Sequence, residues 1–181
     1  MMKTKTVRKA IQFSMLVLLV IFTQSCETEI PPEDPTPPAL LFRIVGDGFE
    51  HNFDQDTDFD NLVLNLNINA TYEFTLIGTD AGGVERIQWF NYPIWSVIVN
   101  TGIPAGWSET TSHGFEWVGD ASNPLTGSIF TGTMSASEMS NGPAMFRFIV
   151  SDFGGDGRSP NRILKELNMY IDDHPTRLIE L

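Results

Sequence analysis

The chain has 181 residues, 41% of them hydrophobic, and its 11 Lys and Arg stand against 23 Asp and Glu for a formal charge of −12. An acidic surface of this kind repels phosphate, which excludes nucleic acid as a partner of the folded part. One cysteine in the whole chain excludes a disulfide framework, so apolar burial has to hold the fold together.

Residues 1–25 stand apart from any fold. Lys3, Lys5, Arg8 and Lys9 precede a mostly apolar run from Ala10 to Phe22. A membrane-spanning helix needs about 20 apolar residues, so the run is too short for one and has the layout of a secretory signal. Its removal takes away four basic residues and no acidic one, leaving 7 basic against 23 acidic side chains, a difference of −16. The segment "TQSC" then ends at Cys26. It resembles the lipobox of bacterial lipoproteins, in the looser form ending in Ser-Cys that is common in Bacteroidota-like bacteria. The resemblance implies cleavage before Cys26, acylation of its thiol and a membrane anchor made of lipid. A secreted protein with a spare thiol is the other reading of the same residues.

Residues 26–38 include "ETEIPPEDPTPP", with five prolines and four acidic residues between Glu27 and Pro38. Such a stretch favours extended polyproline II and reads as a spacer. Its acidic start resembles the surface-export signals of Bacteroidota lipoproteins, which implies an outer-membrane protein on the external face.

Residues 39–181 are one domain's worth of chain. Period-two patterning predicts strands at Leu40–Val45, along Leu62–Leu76 with a bend near Asn69, and at Val84–Phe90, Trp95–Asn100, Gly114–Val118, Ser128–Thr133, Ala144–Ser151 and Arg162–Ile171. One helical turn is expected at Ser135–Ser140. Seven to nine strands without long helices make an all-β, antiparallel sandwich.

A repeat supports this. "FTLIGTDAGG" from Phe74 and "FRFIVSDFGG" from Phe146 share Phe, Asp and a glycine pair at one spacing. In each, Asp80 or Asp152 ends a strand and glycines turn the chain, Asp accepting bonds from the turn's own backbone. "YEFTLIGTDAGGVERIQWF" and "AMFRFIVSDFGGDGRSPNRILKELNMYI" resemble the B–C and F–G segments of immunoglobulin-like, cadherin-like and PKD-like domains of bacterial surface lipoproteins. The resemblance implies a core tryptophan at Trp89 and both turns at one end of the sandwich. It departs from the pattern in having no cysteine pair and "GPAM" where a tyrosine precedes strand F.

Candidate chemistry is sparse. Asp54, Asp56, Asp58 and Asp60 alternate in "DQDTDFDN", as carboxylates do in calcium loops, but positions six and twelve counted from Asp54 hold Phe59 and Asn65, so an EF-hand fails. A solvated acidic loop fits the same run. Asp80, Asp152 and Asp156 form a second candidate calcium site if the two turns converge. Of four tryptophans, Trp89 and Trp117 fall in strand patterns and read as core. Trp107 lies in a Gly-, Ser- and Thr-rich loop and, with Tyr92 and Trp95, offers a platform for a sugar ring, or alternatively a plug over the sandwich end. No nucleophile, zinc or phosphate-binding motif is present. The expectation is a non-catalytic, lipid-anchored binding, adhesion or accessory module with an envelope protein as partner. The alternative is a surface glycan-binding protein serving polysaccharide uptake.

Overall fold

The computed structural model describes residues 30, 33–137, 140–154 and 159–181. The signal segment, Cys26 and Asp156 lie outside the described residues.

Twelve strands run in chain order: β1 (Ala39–Gly46), β2 (Phe49–Asp54), β3 (Leu62–Asn67), β4 (Thr71–Thr79), β5 (Val84–Tyr92), β6 (Val97–Val99), β7 (Trp107–Glu109), β8 (Phe115–Val118), β9 (Gly127–Ala136), β10 (Gly142–Asp152), β11 (Arg162–Asp172) and β12 (Arg177–Glu180). They form two sheets, of order β2-β1-β4-β9-β6 and β12-β3-β11-β10-β5-β8-β7. The protein is an all-β sandwich, and the neighbours β1-β4-β9-β6 facing β5-β10-β11 are consistent with an immunoglobulin-like fold. Every pairing is antiparallel except β3 with β11.

Alternation explains the layers. In β4, Tyr72, Phe74 and Leu76 point into the core and Thr71 and Glu73 point out. The predicted bend falls at residues 68–70 and carries the chain from one sheet to the other, so Leu64 and Leu66 of β3 enter the core from the face opposite β4. Trp89 of β5, 1% exposed, sits at the middle. Phe74, Phe146, Phe42 and Phe115 surround it with ring centroids 4.9–5.8 Å away. Its indole N–H has no hydrogen-bond partner, a cost of about 1–3 kcal/mol that the aromatic packing offsets.

Two expectations are corrected. The strand count is higher than predicted, because β2, β7 and β12 were not anticipated. The turn expected at Ser135–Ser140 is strand at its start, because β9 continues to Ala136 and pairs there with Val97; beyond it the Ser140 N–H closes on the Ser137 carbonyl at 2.9 Å, and residues 138–139 lie outside the described residues. The one helical element among the described residues is a 3-10 turn at Phe59–Asn61, which buries Phe59 against Phe53.

Candidate functional site

The two repeated corners meet. Phe153 donates its backbone N–H to the Gly83 carbonyl at 3.2 Å, and oxygens of Asp34, Asp80 and Asp152 lie within 4.8 Å of one another. Asp80 accepts from the Gly82 N–H at 2.8 Å, the local turn bond expected of an Asp before glycines, and Gly83 carries the positive φ of 107°. Asp152 behaves differently from the expectation that one chemistry serves both corners. Its carboxylate reaches across the longer second turn to the backbone N–H and side-chain amide of Asn161, each at 2.8 Å. Asn161 also donates to the Asp34 and Thr36 carbonyls, so the end of the predicted spacer is fastened to this corner and Pro38 is buried. Burial pushes the Asp80 carboxyl above its ordinary range, and the charges of Asp34 and Asp152 push the same way. Asp34 was not expected here, because the sequence reads as spacer up to Pro38.

The acidic run does not converge. Asp54 accepts from the Asp56 N–H and the Thr57 hydroxyl at 3.0 Å, and Asp58 accepts from the Asn61 amide at 2.7 Å. Asp56 and Asp60 are exposed, and no three of the four bring their oxygens within 4.8 Å of one another. The run is turn chemistry leading into the 3-10 turn.

The three candidate platform aromatics are placed in three different surroundings. Trp107 is 7% exposed, its ring 5.0 Å from Phe130 and its indole N–H donated to Ser128 at 3.1 Å. It is the plug, not a platform, because β7 turns this residue inward beside Trp117. Tyr92 has the parity of Phe90 on β5 and lies on the outer face of the second sheet beneath Arg147, whose guanidinium carbon is 5.2 Å from the ring centroid. Trp95 alone is open, at 54% exposure.

Trp95 stands in an unusual backbone position. The Ser96 N–H closes on the Pro93 carbonyl at 3.0 Å, a four-residue turn with Trp95 in its third place at φ 72°. Type II turns require that positive φ and favour Gly or Asn there. The Ser140 hydroxyl holds the Trp95 carbonyl at 3.3 Å. Across from it, the loop between β7 and β8 puts His113 at φ 56°, again a place that glycine usually takes. The two rings meet with centroids 4.4 Å apart. Holding non-glycine residues in such conformations costs on the order of 1–3 kcal/mol each.

This ring pair lines a cleft of about 170 Å³, where the edge strand β6 of one sheet faces β7 and β8 at the margin of the other. Ile98 and Ile103 form apolar walls, and Glu109, Asn91 and Thr101 supply the polar ones. His113 Nδ1 lies 3.7 Å from the Glu109 carboxylate. Sequence patterning pointed to Trp95 but not to Glu109 or His113, which the hairpin of β7 and β8 brings in from 14 and 18 residues away. No protein-family model matches this sequence, and no curated protein matches it either.

Proposed function

We propose that this chain is a non-catalytic binding module of a bacterial cell envelope, anchored through lipid on Cys26 to the outer membrane, exposed on the surface, and engaging its ligand at the Trp95 cleft. The observation that carries the reading is Trp95 itself: a large apolar ring, more than half exposed, kept in a backbone position suited to glycine. Backbone strain at this residue, with Ile98 and Ile103 exposed beside it in the same cleft, favours a role outside the fold's own packing. The signal layout, the Ser-Cys at 25–26 and the acidic proline-rich stretch support the anchor and the display away from lipid. A binding role rather than a catalytic one is supported by the cleft lining, in which Glu109 is the one carboxylate, so the pair needed for glycoside cleavage is not assembled there. The reading requires no cofactor.

Site-specific photo-crosslinking tests it. A benzophenone amino acid placed at Trp95, and at Leu164 on the far part of β11 as reference, is irradiated in intact cells. The expected result is a covalent adduct, seen as a mobility shift, from position 95 and not from position 164. Equal yields at both positions, or none at 95, would remove the cleft from the account. Metabolic palmitate label lost in Cys26→Ser is the matching expectation for the anchor.

A further inference from the structure

Taking the Trp95 cleft as the binding site, we infer that its ligand is an uncharged saccharide, with one sugar ring seated against Trp95 and His113. The ring pair provides the apolar face on which the C–H side of a pyranose stacks, and Ile98 and Ile103 extend it. The Glu109 carboxylate is an acceptor for sugar hydroxyls, and a ligand of hydroxyl groups matches a lining that mixes apolar walls with few polar groups. The cavity, about 170 Å³, is below the 300–1,000 Å³ of drug-sized pockets and suits a single ring better than a peptide side-chain cluster.

Charge selects within the class. No Lys or Arg lines the cleft, and Glu109 there adds to a chain of formal charge −12. Uronates, sulfated glycans and phosphorylated ligands are therefore disfavoured by the same field that excludes nucleic acid. Trp95 in a turn braced by Ser96 and Ser140 is also ordered before binding, which lowers the entropy lost when a ligand docks.

Native affinity electrophoresis of the purified protein decides the matter. Gels contain uncharged glucans, mannans or galactans in turn, with polygalacturonate as the charged reference. Retardation by at least one uncharged polymer is expected, weakened about tenfold or more in Trp95→Gly, partly kept in Trp95→Phe, and unchanged in Tyr170→Ala on β11. Tenfold corresponds to about 1.4 kcal/mol, the scale of one stacking contact. Absence of retardation in every uncharged polymer, retardation by polygalacturonate alone, or full retention in Trp95→Gly would overturn the inference. A crosslink at position 95 to a protein, combined with no retardation, overturns the saccharide and leaves the binding site standing.

Discussion

Asp80 shows how one carboxylate can be both necessary and costly. It closes its turn by accepting from Gly82, yet burial and two neighbouring carboxylates hold its acidity down. Because its folded pKa is raised, the native state takes up this proton more readily than the unfolded chain does. The stability linked to that proton is present below the ordinary carboxylate range and is lost as pH rises through the folded value. Asp80→Asn keeps an oxygen to accept from Gly82 and removes the charge. Its Tm should exceed that of the natural protein at pH 7, with the gap closing as pH falls through the raised folded value and gone below about 3.9. Both proteins should melt at the same temperature in chelator and in millimolar calcium, since a ion bound only by the native state would raise Tm. A calcium-dependent rise in the natural protein, lost in Asp80→Asn, would instead make this corner a cation site.

At the scale of elements, the clearest tie is between the ends of β3 and β4 and the residue that leads into β12, Thr176. Tyr72 is fully buried, and its hydroxyl accepts from the Asn67 N–H at 2.8 Å and bonds the Thr176 hydroxyl. Asp47 accepts from both the N–H and hydroxyl of Thr176, and these bonds lower its pKa. Tyr72→Phe should therefore cost about 1–2 kcal/mol, read as a lower urea midpoint with the m-value unchanged. An unchanged midpoint would mean that the Asn67–Thr176 link does not bear on stability.

The same elements mark what was legible in the sequence. Long alternating runs such as Thr71–Thr79 and Arg162–Asp172 declared themselves, because period two over nine or eleven residues has few other readings. The corners at Asp80 and Asp152 were visible because Asp and paired glycines are local signals. β7 and β12 are only three and four residues long and exist through pairing with β8 and β3, a non-local cause. β2 alternates Phe49, His51 and Phe53 with polar residues, but its last residue, Asp54, opens the acidic run and disguised it. The platform of Tyr92, Trp95 and Trp107 failed as a unit because strand parity and the inward turn at β7 send the three rings to separate places.

The whole molecule is a sandwich whose interior is closed by aromatic packing around Trp89, while one strained tryptophan is left outside. Buried tryptophans hold such a body together, and truncating one costs about 3–5 kcal/mol. At position 95 the sums differ. Glycine there relieves the left-handed backbone, about 1–2 kcal/mol, but forfeits the His113 contact and adds freedom to the unfolded chain, each about 0.5–1.5 kcal/mol. These terms nearly cancel. The most direct measurement is therefore urea denaturation of Trp95→Gly beside Trp107→Ala. The account predicts a Trp95→Gly stability within about 1 kcal/mol of the natural protein and a loss of about 3–5 kcal/mol for Trp107→Ala. A loss at position 95 as large as that at position 107 would show that the ring is there to hold the fold, and would contradict its assignment to a ligand.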